Sequence, residues 1–261
     1  RSHQTCYLGS SEPNFWRHPG RGFNFAGAFE EKGKVTRPPI SLMSLQIQLS
    51  TGLAELGIEV NETLVSRSLA FLDLLGRWNK VTNLTAITEP EKMVSLHLLD
   101  SFAIQPFLSG NRILDVGSGA GLPGIPLAML NPTKKFVLLD SNGKKTRFLT
   151  QAKITLGLDN VEVVQARVRD FRSNVGDTSA EAINGGLFDT IVCRAFGSLD
   201  RIIAEMLHLL DSGGTLLAMK GPDQSGETSL VDESRVKLAG IHRIAVPQIE
   251  AERFLLALKR C

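Results

Sequence analysis

Apolar positions along the chain change their period at two places. From Leu45 to Leu108 they recur at steps of three and four: Val65, Leu69, Leu72 and Leu75 share one face, the pattern of amphipathic helices packed on a core. Thr88 and Glu91, on either side of Pro90, have capping-box spacing and predict a helix through Met93, Leu96, Leu99 and Phe102. Beyond Gly110 the apolar runs shorten to strand length. Arg112–Val116, Lys135–Asp140, Val161–Gln165, Phe188–Arg194 and Gly214–Lys220 read as strands, with helical segments Gly124–Leu130, Lys144–Leu156 and Leu199–Leu210 between most of them. Such alternation predicts an α/β fold with a mostly parallel sheet and helices on both faces. Arg243–Val246 and Arg253–Lys259 are candidates for two closing strands.

The stretch Arg1–Leu42 follows neither period. It is rich in Gly, Pro, Asn and Arg, and its aromatics Phe15, Trp16, Phe23 and Phe25 keep no spacing, so a disordered extension is expected, with Met43 opening the folded chain. It lacks the continuous apolar stretch of a secretory signal; its Arg-bearing, acid-poor start leaves an organelle transit remnant as a lesser alternative. The expected organisation is an extension over 1–42, a helical cap subdomain over 43–108 and an α/β domain over 109–261.

Composition narrows the chemistry. A hydrophobic fraction of 43% with 21% charged residues is that of an ordinary globular protein. No apolar run approaches the roughly 18 residues a membrane span needs, so no membrane partner is expected. Cys6, Cys193 and Cys261 are odd in number and far apart, which excludes a disulfide framework and a Cys-x-x-Cys pair and favours a reducing, cytoplasmic setting. His3, His18, His97, His208 and His242 show no metal-ligand spacing, so no metal is expected. A net charge of +2 is too small to argue for a polyanionic partner, and the placement of the charge matters more.

Ile113-Leu114-Asp115-Val116 runs into Gly117-Ser118-Gly119-Ala120-Gly121-Leu122-Pro123-Gly124, an apolar strand followed by a glycine-rich turn and a helix. Glycines allow a cofactor to approach the backbone closely. A dinucleotide fingerprint would place its third glycine at position 122, where this chain has Leu122, and the spacing is G-x-G-x-G. S-adenosylmethionine has no phosphate for a helix N-terminus to hold, and Asp115 is placed to answer its ammonium group directly or through water. The bland alternative is a tight turn. Asp140 ends the next strand about twenty residues further on, where a carboxylate accepts hydrogen bonds from ribose hydroxyls; a cap for the following helix is its alternative. Gly117, Gly119, Gly121, Leu122, Asp115 and Asp140 are thus cofactor candidates.

At the end of the fourth strand stands Cys193-Arg194-Ala195-Phe196. The Asn/Asp-Pro-Pro-aromatic tetrad of exocyclic-amine methyltransferases is missing there. Cys193 follows Val192 within an apolar strand and reads as core, against the Pro-Cys or Thr-Cys nucleophile of cytosine C5 chemistry. His97, beside Asp100 on a helix, is either a substrate-orienting residue or a structural histidine. Basic residues cluster at Lys144, Lys145, Arg147 and Lys153, at Arg167, Arg169 and Arg172, and at Arg194, Arg201 and Lys220; several follow strand C-termini, where a polyanion would meet them. For the helix cluster a solvated face is as good a reading. Other readings stay open: a class I methyltransferase acting on a small molecule or protein, a non-catalytic RNA-binding protein that keeps the cofactor fold, and a nicotinamide dehydrogenase, which Leu122 disfavours.

Several ordered motifs from Met43 onward resemble one family. They are Trp78-Asn79-Lys80 with Asn83-Leu84-Thr85, His97-Leu98-Leu99-Asp100-Ser101, Asp115 to Gly124 with Ile125-Pro126-Leu127, and Leu138-Leu139-Asp140-Ser141 with Gly143-Lys144-Lys145. Arg167-Val168, Arg194-Ala195-Phe196-Gly197-Ser198-Leu199 and Lys220-Gly221 follow. Together they resemble the bacterial small-subunit (16S) rRNA guanine-N7 methyltransferases, historically called glucose-inhibited division protein B. The resemblance implies a class I S-adenosylmethionine methyltransferase sheet of seven strands with an N-terminal helical cap. It implies cofactor contacts from Gly117, Leu122, Val168, Arg169 and Arg194. On the RNA side, Asn83, His97, Lys144, Arg194 and Lys220 become candidate substrate contacts, with 16S rRNA or the small subunit as partner and a monomer as the acting form. The family usually has an acidic residue where Arg169 stands, so only a backbone contact carries over there, and often a basic one where Leu96 stands. Guanine N7 carries a lone pair and no hydrogen, so no catalytic base or covalent nucleophile is expected.

Overall fold

The computed structural model describes residues 41–172, 186–221 and 235–261. The extension expected over 1–42 therefore lies outside the described residues but for Ser41 and Leu42. Residues from Met43 to Cys261 form one compact unit.

Two helices open it, α1 (Leu42–Glu55) and α2 (Glu62–Thr82). The predicted face of α2 is the buried one, with Val65, Leu69, Leu72 and Leu75 joined by Leu64, Ser68, Phe71 and Leu74. Asn61 caps its start by accepting the Leu64 N–H, and Asn83 closes its end in the left-handed region at φ 50°. Next comes a continuous helical run: α3 (Pro90–Met93), a π turn (Val94–Leu99) and α4 (Asp100–Phe102). The capping box expected from Thr88 and Glu91 does not form. Pro90 occupies the first helical position, which it favours because it has no N–H to leave unpaired, so Glu89 becomes the N-cap; its side chain caps no helix N–H and pairs with Lys92 at 3.3 Å.

The sheet has seven strands: β1 (Arg112–Val116), β2 (Lys135–Asp140), β3 (Val161–Gln165), β4 (Phe188–Arg194), β5 (Leu210–Lys220), β6 (Val236–Arg243) and β7 (Phe254–Arg260). Their order is β3-β2-β1-β4-β5-β7-β6, parallel except for β7, which runs antiparallel to β5 and β6. Helices α5 (Gly124–Leu130), α6 (Gly143–Leu156) and α7 (Leu199–Met206) connect the parallel strands. Leu114, Val116, Val137, Leu139, Ile191 and Cys193 pack with Leu199, Ile202, Ile203 and Met206 of α7. The alternate residues Ile113, Phe136 and Leu138 are equally buried and point to the other face. Burial on both faces is why these strands read as unbroken apolar runs. The N-terminal helices join this core through α6, where Phe148 meets Phe71 and Trp78 at ring-centroid distances of 6.3 and 5.8 Å.

Arg243–Val246, expected as a strand, is not one. Strand β6 ends at Arg243, and a register shift between Leu238 and Gly240 interrupts its alternation. As an edge strand with most of its positions exposed or half-exposed, it carries no apolar period for sequence to show.

Candidate active site

Strand order reverses between β1 and β4: from β1 the chain goes outward to β2 and β3, then returns to the other side of β1. Open α/β sheets bind ligands at the carboxyl ends of the strands flanking this switch point. Here those ends carry the Gly117 turn and the Arg194 turn.

Several bonds fix the Gly117 turn. The N–H groups of Gly117 and Ser118 donate to the Leu139 carbonyl at 2.8 and 3.1 Å, and Ser118 Oγ donates to the Asp115 carbonyl at 2.9 Å. Gly117, Gly119 and Gly121 have φ of 70°, 55° and 77°, conformations that side chains rarely adopt. A Cβ on Gly117 would lie 3.0 Å from the Phe196 ring, and one on Gly124 would lie 2.5 Å from Asp115 Oδ2. Asp115 is wholly buried; its Oδ2 accepts the Gly124 N–H at 3.0 Å and its Oδ1 has no partner. Burial pushes its pKa up to about 7, against the Ser118 and Gly124 hydrogen bonds. Asp140 ties the turn to β2: its Oδ2 accepts the Gly119 N–H at 2.9 Å and lies 3.9 Å from Lys145 Nζ, while Oδ1 accepts the Asn142 N–H at 2.8 Å.

These elements border a cavity of about 440 Å³. Of the cofactor candidates named in the sequence, Gly117, Asp140, Val168, Arg169 and Arg194 line it, together with Lys145, Arg167, Phe196, Arg201 and Glu205. Gly119, Gly121, Leu122 and Asp115 do not line it; they shape the turn from behind. Arg201 lies 5.5 Å from the centroid of the Phe196 ring and pairs with Glu205 at 2.9 Å.

A second cavity, of about 460 Å³, adjoins the first. Ile87, Leu96, Ile104, Met219, Ile244 and Phe254 give it an apolar lining, and Asp100, Arg194, Lys220 and Arg253 give it charge. Arg194 and Ala195 line both cavities. Arg194 Nη1 donates to the Leu96 carbonyl at 3.2 Å and to Asp100 Oδ2 at 3.0 Å, and Arg253 Nε lies 3.4 Å from Asp100 Oδ1. Burial raises the Asp100 pKa, while the two guanidinium groups act the other way. Ala195 and Gly197 have φ of 54° and 108°, and Lys220 Nζ donates to the Gly197 carbonyl. A non-glycine residue at positive φ is a strained position of the kind that clusters at functional sites.

Of the expected substrate residues, Arg194 and Lys220 reach this cavity. Asn83 is an exposed helix cap, Lys144 is exposed on α6, and His97 is buried with its Nε2 3.0 Å from Thr85 Oγ1. None of these three lines either cavity. Lys145, Phe196, Arg201, Asp100 and Arg253 are not among the cofactor and substrate candidates, although Lys145 and Arg201 belong to the basic clusters noted in the sequence. The first four stand inside or beside motifs already noted, whereas Arg253 carried no signal, because its place depends on β7 pairing with β5. Cys193 is a core residue whose thiol pKa burial pushes up to about 12. Among the described residues no group of three or more His, Cys, Asp or Glu side chains is arranged to hold a metal, and no helix is long and apolar enough to cross a membrane.

A sheet of this order with one reversed strand, a glycine turn at the switch point and a carboxylate ending β2 defines a class I S-adenosylmethionine-dependent methyltransferase. The residues fit that cofactor: the turn holds positive φ at Gly117, Gly119 and Gly121, a Cβ would crowd its neighbours at Gly117, Gly121 and Gly124, and a buried carboxylate oxygen beneath it lacks a partner. Within that class the chain belongs to the rRNA small subunit methyltransferase G family (GidB), whose profile it matches over residues 65–256. It is 49% identical over 211 residues to the ribosomal RNA small subunit methyltransferase G of Methylococcus capsulatus, covering 81% of this chain and 97% of that protein. To the protein of the same name from Coxiella burnetii it is 46% identical over 212 residues, covering 81% and 97%. A crystallised S-adenosylmethionine-dependent methyltransferase from Aquifex aeolicus is a more distant likeness, at 15% identity and a TM-score of 0.47 over 72% of this chain and 98% of that one.

Proposed function

We propose that this protein transfers a methyl group from S-adenosylmethionine to N7 of a guanine in 16S rRNA of the small ribosomal subunit. The observation that carries the reading is the meeting of two cavities at Arg194 and Ala195, one beside the glycine turn and one lined by apolar and cationic side chains. Transfer between two bound partners needs such a shared wall, because in-line placement of the reacting atoms is most of the catalysis. The names of the relatives point to small-subunit rRNA as the acceptor.

S-adenosylmethionine, when bound, supplies an electrophilic methyl group on its sulfonium. Toward it, Asp140 offers acceptors for the ribose hydroxyls, and the segment Val168–Arg169 offers backbone for the adenine. Asp115 supports the turn from beneath and offers negative charge to the ammonium end. Arg194 is held by Asp100 and the Leu96 carbonyl, so it presents a fixed cation at the junction without a further ordering cost. Lys220 and Arg253 give the target cavity donors for the guanine edge or its phosphate. Arg169 and Arg201, whose side chains are more than half exposed, are placed to meet backbone phosphates. The guanine N7 lone pair needs no base to free it, and Cys193 is too buried to act as a nucleophile, so the reading assigns no catalytic acid, base or covalent residue. It takes the acting form to be a monomer in the cytoplasm, where ribosomal subunits are.

Labelled S-adenosylmethionine incubated with the protein and small subunits lacking the modification tests this. Label is expected in N7-methylguanosine, at one guanine that becomes open to aniline scission after borohydride treatment. Label in N6-methyladenosine or 5-methylcytidine, without an aniline-sensitive guanine, refutes the proposed chemistry; transfer that does not require RNA refutes the substrate.

A further inference from the structure

Behind the target cavity, Asn79, Thr85 and His97 form a chain of side-chain bonds to which the proposed function gives no part. Asn79, in the last turn of α2, clamps both backbone groups of Thr85: Nδ2 donates to its carbonyl at 2.8 Å and Oδ1 accepts its N–H at 2.9 Å. Thr85 Oγ1 accepts the Ile87 N–H at 3.1 Å and lies 3.0 Å from His97 Nε2. The bond between Thr85 Oγ1 and His97 Nε2 holds one hydrogen, given by the hydroxyl or by the ring according to the tautomer. The ring is neutral around physiological pH, since burial, followed by the charge of Arg194, lowers its pKa to about 4.

His97 lies in the π turn, next to Leu96 and one helical turn before Asp100. Thus one end of the chain holds the loop bearing Ile87, and the other holds the turn bearing Leu96 and Asp100. All three line the target cavity, and Leu96 and Asp100 are the two anchors of Arg194. π turns recur at functional sites because their wider winding re-aims side chains and frees backbone groups. We propose that His97 is a positioning residue for methyl transfer, whose bond to Thr85 joins the Ile87 loop to the Leu96–Asp100 turn and so sets the wall of the target cavity. The proposal rests on the reading of that cavity as the acceptor site. It reassigns His97 from contact with RNA, which its burial forbids, to control of the surface that makes the contact.

The test compares Thr85→Val and His97→Leu, which break the bond, with Thr85→Ser and His97→Gln, which keep a hydroxyl and a ring-distal polar atom. The first pair is expected to lower kcat/KM for rRNA about 10- to 100-fold, the range a displaced positioning group produces. Calorimetric affinity for S-adenosylmethionine should stay at the wild-type value, and the second pair should recover most of the loss. Wild-type kcat/KM in Thr85→Val overturns the proposal; so does a loss that Thr85→Ser fails to restore, or one matched in cofactor affinity. If His97→Leu does not fold, Thr85→Val, at a half-buried position, carries the test alone. If the wild-type protein proves inactive on rRNA, the functional reading fails, and hydrogen exchange then judges the joint. Residues 84–88 and 94–100 should exchange faster together in Thr85→Val but not in Thr85→Ser, and unchanged exchange overturns the proposal.

Discussion

Asp115→Asn tests the electrostatics of the cofactor turn. The carboxyl has no exposed surface, and its pKa in the folded protein is about 7, against 3.8 for the ordinary group, with burial as the largest cause. Between those two values the folded state holds a proton that the unfolded state has released, so stability falls as pH rises through this window. The contribution is whole below about pH 4 and lost above about pH 7. Three units at about 1.4 kcal/mol each give about 4 kcal/mol in all, an upper bound because a charged interior relaxes. About 3 kcal/mol of it falls between pH 5 and pH 8. Asparagine cannot ionise, yet it keeps an oxygen to accept the Gly124 N–H. Urea denaturation of the two cofactor-free proteins should therefore give curves of stability against pH that diverge across this range, wild type losing ground to Asp115→Asn as pH rises. Parallel curves would show that Asp115 does not titrate there and would refute the reasoning. Because Oδ1 has no protein partner, the positive end of the cofactor should complete the ionisation. Binding near pH 6 should then release a proton in wild type and none in Asp115→Asn, as calorimetry in buffers of different ionisation enthalpy would record.

Gly117→Ala places a methyl group 3.0 Å from Phe196 at φ 70° and should weaken S-adenosylmethionine binding at least tenfold, at a backbone cost of about 1 kcal/mol; unchanged affinity by calorimetry would remove the turn from the site. Lys145→Ala should reduce cofactor affinity while Lys144→Ala leaves it at the wild-type value, because only the former lines the cavity; the same titration decides, and equal effects would contradict the geometry. Arg194→Ala leaves Asp100 buried with Arg253 as its remaining ion-pair partner. It should cost about 3 kcal/mol of stability in denaturant unfolding, the low end for one partner of a buried pair, besides lost methyl transfer. Cys193→Ala should keep most of the transfer activity, with a modest fall in melting temperature from lost packing, since no thiolate is used; an inactive but folded variant would revive a covalent route.

Local pattern by itself determined the strands β1 to β4, the helix faces, the glycine turn and Asp140. These are legible because an apolar period reports burial along a single element, and because a turn that needs positive φ selects glycine wherever it sits. It did not show β6, whose bulge and exposed edge erase the period, nor the true start of α3, where Pro90 prevailed over the capping pair. Only the tertiary structure decided which of the flagged residues meet. Lys144 and Lys145 are adjacent in sequence, but one step along a helix turns the side chain by about 100°, toward solvent in one and the cavity in the other. Asp100 and Arg194 stand 94 positions apart and pair because the switch in strand order brings the end of β4 beneath the π turn. Arg253 joins them because β7 runs antiparallel beside β5 and sets Phe254 against Lys220. Contacts of this kind follow from strand order and register, which are properties of the assembled sheet and leave no period along the chain.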